Sequence, residues 1–265
     1  MNTLDFGFAA LDNQLWELLL LSVRCGVAIL AAPMIGGLTV PLQARAFLGV
    51  AFAVFVAIWM PLPPLPDMMS FGAVLAVLQE VIIGAALGFI LQVAFAVPLI
   101  AAEQIAGTMG LAIATSIDPT SGAQSGALGT YFSLLLTLLF FAIGGHLLWF
   151  ELLIESYRIL PVGAFAFGEF RARAIVEFMG YGFALAAAIG FPVVLVLLVT
   201  QLVTGMISRS APALNLFALG LPAGVFAGIA ALILAIPIVI EQFVGLLEVA
   251  IRRTELLIIP SGAPV

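Results

Sequence analysis

From Phe178 to Ser208 the chain reads FMGYGFALAAAIGFPVVLVLLVTQLVTGMIS, and from Ser210 to Ile240 it reads SAPALNLFALGLPAGVFAGIAALILAIPIVI. Arg209 is the single charge between Glu177 and Glu241. A bilayer span needs about 20 consecutive apolar residues, and both runs exceed that. Four more charge-free runs of span length lie at 25–44, 46–66, 81–102 and 119–150. Of 265 residues, 64% are hydrophobic and 8% charged, against about 25% charged in a soluble domain. So few charges cannot cover a water-facing surface. The composition predicts a membrane protein and excludes soluble enzymes and nucleic-acid binders.

The formal net charge is −6, there is no lysine, and the eight cations are all arginines. A basic face for nucleic acid or anionic lipid is therefore missing. One cysteine, Cys25, can form neither an intrachain disulfide nor a thiolate metal cluster. Met1 to Gln14 holds Asp5 and Asp12 and no cation. A cleavable signal would open on a basic region, so the first apolar segment is expected to stay.

Lipid offers no hydrogen-bond partners to open strands, so the spans are expected to be helices. Segment one covers about 13–32 and ends at Pro33, Gly36, Gly37 and Pro41. Segment two, about 44–60, runs into Pro61-Leu62-Pro63-Pro64-Leu65-Pro66, an extended connector. Segment three starts near Ser70, an N-cap, and reaches Pro98. Residues 99–126 read as a re-entrant hairpin, because 104–117 is charge-free but too short to span. Segment four is expected at about 127–150. Residues 151–173 form a charged connector, and 174–252 an antiparallel helical hairpin closed by the short turn Ser208 to Pro212; 253–265 is a tail. Helices 174–207 and 214–251 would extend roughly 51 and 57 Å, beyond a hydrocarbon core about 30 Å thick. Either Pro192 and Pro237 bend them, or protein covers much of each. Arginine counting places the side bearing Arg158, Arg171, Arg173, Arg252 and Arg253, and with it the C-terminus, in the cytoplasm.

No zinc-protease motif, Walker loop or nucleophile elbow is present. His146 stands alone as a histidine, without further ligands at metal spacing, so no cofactor or metal is expected. Glu80 and Glu103 sit in apolar stretches, where ionisable groups are costly. They read either as a proton or cation site or as hydrogen-bonding residues at helix contacts. In the second case glutamine should serve in their place. Glu17 and Arg24 share a helix face but are too far apart for close pairing. Gly84 with Gly88, and Gly220 with Gly224 and Gly228, make small-residue faces that let helix backbones approach. Pro222 marks a helix start or kink. Gly107, Met109, Gly110, Leu111 and Ile113 combine flexible backbone with soft apolar side chains, which suits either a constriction around variable cargo or an ordinary buried hairpin.

These pieces, in this order, resemble the FliR/SctT family, the R-type subunits of the type III export gate. The resemblance covers essentially the whole chain. It rests on Arg24 with Pro33 and Pro41, Glu80-x-x-x-Gly84-x-x-x-Gly88, Glu103-x-x-x-Gly107, Asp118-Pro119, Gly145-His146, and Arg209-Ser-Ala-Pro212-Ala-Leu-Asn215-Leu-Phe217 with Gly220 and Pro222. Ala213 departs from the glutamine the family often carries there. The resemblance implies one all-α integral membrane domain over 1–265. Its N-terminal part, 1–150, would be like a P-type subunit and its C-terminal hairpin like a Q-type subunit.

It also implies a non-enzymatic, single-copy channel subunit for flagellar protein export across the inner membrane, in the flagellar basal body and largely at periplasmic level. Implied partners are several P-type and Q-type subunits, further export-apparatus membrane proteins and the unfolded flagellar subunits being exported. Residues 107–122 would plug the channel. Glu80, Gly84, Gly88, Glu103, Pro212, Asn215, Gly220, Gly224 and Gly228 would serve packing and assembly. A virulence-secretion subunit is the nearest alternative. A small-solute or ion transporter would show paired broken helices and repeat symmetry, which the sequence lacks.

Overall fold

The computed structural model describes residues 8–36, 40–60, 66–111, 126–163, 169–210 and 216–259. Among them the regular structure is helical throughout: α1 (Phe8–Ala31), α2 (Pro33–Gly36), α3 (Leu42–Trp59), α4 (Phe71–Thr108), α5 (Ala127–Ala142), α6 (Gly145–Ile159), α7 (Glu169–Ser210) and α8 (Leu216–Ile258). Five helices are long and apolar enough to cross a membrane, or six spans if the pair α5–α6 counts as one. The chain is an all-α membrane protein.

The boundaries differ from the expected ones at the prolines. Pro98 does not end segment three, because α4 continues through it to Thr108. Pro192 lies inside α7, and Pro222 and Pro237 inside α8; α8 therefore does not start at Pro222. Each proline removes one helical hydrogen bond. Membrane helices tolerate this, because neighbouring helices, Ser and Thr side chains and local adjustment re-satisfy the freed carbonyl. Segment four is two helices rather than one. Gly144, at φ +71°, separates α5 from α6. Only glycine adopts that left-handed backbone at little cost.

The three longest helices are longer than the sequence suggested. α4 has 38 residues, α7 has 42 and α8 has 43. At about 1.5 Å per residue they extend roughly 57, 63 and 64 Å.

The chain divides into two compact units. The first comprises Met1–Val93, Gly144–Phe178 and Val249–Val265. Its core joins Leu20, Leu21, Ala28 and Ile29 of α1 to Ala53 and Val56 of α3, Leu87 and Ile90 of α4, and Trp149 and Leu153 of α6. Trp149 is fully buried, and its indole Nε1 donates to the Leu87 carbonyl at 3.2 Å. Phe52 of α3 stacks on Phe150 of α6 with centroids 4.8 Å apart.

The second unit comprises Ala94–Ile143 and Met179–Glu248. Phe132 of α5 meets Phe243 of α8 edge to face at 5.6 Å, and Phe95 of α4 meets Phe140 of α5 in the same way at 5.6 Å.

Candidate functional site

Arginine at membrane depth is costly unless it is paired and its N–H groups are satisfied. Arg24, on α1, has both. Its Nε donates to Glu80 Oε2 at 2.8 Å and one terminal nitrogen to Glu80 Oε1 at 2.7 Å. That same nitrogen reaches the Leu160 carbonyl at 2.8 Å, and the other terminal nitrogen reaches Ser156 Oγ at 3.1 Å. The guanidinium carbon lies 4.2 Å from the Tyr157 ring centroid, a cation–π position. Tyr157 in turn donates its hydroxyl to the Leu21 carbonyl at 2.6 Å, with Cys25 Sγ 3.2 Å away. Gln79, beside Glu80, donates to the Pro161 carbonyl at 3.3 Å.

The result is a polar knot in an apolar unit. It ties the last third of α1 and the first third of α4 to the C-terminal turn of α6. The carbonyls that follow α6 carry the negative end of its dipole, and a cation is the group suited to cap them.

Glycine makes room for this contact. Glu80, Gly84 and Gly88 recur every four residues and so form one stripe of α4. A Cβ on Gly84 would sit 2.5 Å from the Arg24 carbonyl oxygen, and one on Gly88 would sit 2.5 Å from Ala31 Cβ and 2.7 Å from the Ala28 carbonyl oxygen. The stripe that holds the counter-ion is also the stripe along which α1 and α4 touch backbone to backbone. α3 meets α1 on another face, where a Cβ on Gly49 would lie 2.9 Å from Gly26 Cα.

In the second unit α4 ends in a Schellman turn. Leu111 N–H donates to the Ala106 carbonyl at 3.0 Å and Gly110 N–H to the Gly107 carbonyl at 3.2 Å. Gly110 takes φ +83°. The turn seats Met109, 4% exposed, in the groove left by Gly224 and Gly228 of α8. A Cβ on Gly224 would lie 3.3 Å from the Met109 carbonyl oxygen, and one on Gly228 would lie 2.7 Å from the methionine side chain. Gln201 of α7 donates to the Thr108 carbonyl at 2.8 Å. Glu103 is exposed, and its Oε1 accepts the backbone N–H of Gly126 at 3.3 Å. A carboxylate is favoured there by the first turn of α5.

Among the expected constriction residues, Gly107 and Leu111 are exposed, Met109 is packed against α8, and Ile113 lies outside the described residues. Pro212 and Asn215 also lie outside them. Gly220 is half-buried on α8. His146 is half-buried at the start of α6, and no group of three His, Cys, Asp or Glu able to hold a metal occurs among the described residues.

Two parts of the sequence reading change. Arg24 meets Glu80, 56 positions away, a pairing no local spacing reveals. A glutamine at 80 would leave that cation without its counter-charge, whereas at exposed Glu103 an amide oxygen could still accept the Gly126 N–H. Arg171 belongs to the charged stretch expected to be a connector. It is 4% exposed, and its Nε donates to the Leu257 carbonyl at 2.6 Å and a terminal nitrogen to the Ile259 carbonyl at 3.2 Å. It closes the C-terminal end of α8.

Five or six spans, a buried ion pair joining three helices and a methionine set into a glycine groove define a helical membrane protein built for packing. The family model for bacterial export proteins, family 1, matches residues 15–250, and the chain belongs to that family. The chain is 33% identical to the flagellar biosynthetic protein FliR of Pectobacterium carotovorum subsp. carotovorum, over 82% of this chain and 83% of that one. With FliR of Escherichia coli K12 the identity is 30%, over 86% of each. The surface presentation of antigens protein SpaR of Shigella sonnei is 31% identical over 54% of this chain and 55% of its own length.

Proposed function

We propose that the chain is the FliR-type subunit of a flagellar type III export gate. In that gate it works as a non-catalytic part of the channel wall through which unfolded flagellar subunits cross the inner membrane. The family match over residues 15–250 carries this reading. The flagellar assignment rests on coverage: FliR relatives align over 72–86% of this chain, whereas SpaR aligns over 54%.

Partners of the P and Q type would cover α7 and α8. Phe183, Phe191, Leu202, Phe226, Ile233 and Leu234 stand exposed on these two helices. At roughly 63 Å each is about twice as long as the hydrocarbon core is thick. Lipid cannot cover apolar side chains beyond its own depth, so protein must. Residues 107–122 would restrict the channel.

Purification of the tagged chain in mild detergent tests the partner reading. Small hydrophobic membrane proteins should co-purify in fixed ratio, and deletion of the chain should abolish filament export and motility. A monodisperse monomer that moves solute in vesicles would instead favour a transporter. Shortening 107–122 tests the plug. The assembled gate should then leak ions, and a gate that assembles and stays tight removes the plug role.

A further inference from the structure

We propose that α3 is the helix on which this chain meets lipid directly, with Trp59 and Trp16 at one headgroup level and Arg45 at the other. This goes beyond the export-gate reading, which concerns protein partners, and it does not depend on which partners those are.

α3 is built inside out for a helix in water. The residues it buries are small: Gly49, Ala53 and Val56. Those contacts are settled, because Gly49 lies on Gly26 of α1 and Phe52 stacks on Phe150 of α6. The opposite stripe is Phe47, Val50, Val54, Phe55 and Ile58, recurring at helical spacing and all exposed, with Phe47 at 77% and Ile58 at 73%. No charge occurs from residue 46 to residue 66.

Length and flanks decide what covers this stripe. α3 has 18 residues, about 27 Å at 1.5 Å per residue, close to one hydrocarbon thickness of about 30 Å. α7 and α8 overrun that thickness twofold and need protein, whereas α3 fits it. Its ends carry the residues that prefer the membrane–water boundary. Trp59, 73% exposed, closes the helix. Arg45 stands near its start and donates to the Val40 carbonyl through Nε at 3.0 Å and a terminal nitrogen at 2.7 Å.

Gly49 of α3 lies against Gly26 of α1, and Trp16 and Trp59 each stand ten positions from that contact, so an antiparallel pair brings them to one level. Trp16 Nε1 donates to the Pro66 carbonyl at 3.0 Å, which brings the start of α1 to the segment that follows α3. With residues 32–41 linking the other ends, α1 and α3 run antiparallel, and Trp16 and Trp59 share one end of the pair.

The test is collision accessibility of a nitroxide on single cysteines at Leu42, Phe47, Val50, Val54 and Trp59. The full chain, with whatever subunits accompany it, is returned to phosphatidylethanolamine–phosphatidylglycerol vesicles. Cys25 is fully buried and can stay. Molecular oxygen reports hydrocarbon and a nickel chelate reports water. The oxygen-to-nickel ratio should peak severalfold at Val50→Cys and Val54→Cys and fall back at Leu42→Cys and Trp59→Cys. Low collision with both reagents at Val50 and Val54 would mean that protein covers α3, and nickel dominance there would mean water; either overturns the proposal. Phe47→Cys gives an independent reading if one variant folds poorly. Co-purifying subunits are scored on the same samples, so a chain without partners overturns the export-gate reading and leaves the α3 reading intact.

Discussion

Arg24 and Glu80 hold each other through two hydrogen bonds of 2.8 and 2.7 Å, and both side chains are fully buried. Removing one partner of a buried ion pair typically costs about 3–5 kcal/mol, because the other charge stays buried and unmatched. Arg24→Gln and Glu80→Gln should each lower the amount of folded chain recovered from membranes. The double variant, two amides facing each other, should recover more than either single one. Additive losses would show that the two charges do not stabilise each other. By contrast Glu103→Gln, at an exposed site where an amide oxygen can still accept the Gly126 N–H, should leave recovery and export unchanged.

The glycines of α4 and α7 should separate cleanly. A Cβ on Gly84 meets the Arg24 carbonyl oxygen at 2.5 Å, a backbone atom that cannot swing aside. Overpacking of this kind costs roughly 1–3 kcal/mol, and Gly84→Ala should shift the thermal unfolding midpoint in detergent downward. At Gly180 a Cβ meets nothing within 4 Å. Alanine favours a helix interior over glycine by about 0.8–1.0 kcal/mol. Gly180→Ala should therefore hold or raise the midpoint of the isolated chain.

The Met109 seat gives a graded series. At Gly228 the nearest atoms belong to the flexible end of Met109, whereas at Gly224 the nearest is the Met109 carbonyl oxygen. Gly228→Ala paired with Met109→Ala should recover what Gly228→Ala alone loses. Gly224→Leu should lose assembly and motility with or without that companion change. A fully active Gly224→Leu chain at normal level would show that this face is open.

Gly110 caps α4 at φ +83°. A residue with a Cβ in the left-handed region costs roughly 1–2 kcal/mol, asparagine least. Gly110→Val should raise proteolytic cleavage near the end of α4, and Gly110→Asn should stay close to the parent. Equal cleavage in both would mean that the turn is not a constraint.

Arg171 should act locally. Losing hydrogen bonds from a charged donor costs about 1.5–3 kcal/mol. Arg171→Met keeps most of the bulk and removes the donors to Leu257 and Ile259. Amide exchange should then rise over the last turn of α8 while α3 stays as protected as before.

The sequence by itself determined the class. With 8% charged residues and six charge-free runs, no fold could put this chain in water, and lipid leaves helices as the economical backbone. It also marked the Glu80, Gly84 and Gly88 stripe, because a carboxylate and two glycines on one apolar face demand a close neighbour. It could not say which neighbour. In a soluble helix the apolar stripe points inward, but here α4 is apolar around its whole circumference, so periodicity does not orient it. That Arg24 supplies the counter-charge, that Pro98, Pro192, Pro222 and Pro237 stay inside helices, that Gly144 divides segment four, and that Arg171 closes α8 are all tertiary decisions. Each depends on whether a group distant in sequence arrives to satisfy a charge, a carbonyl or a gap, and only the packed helices bring those groups together.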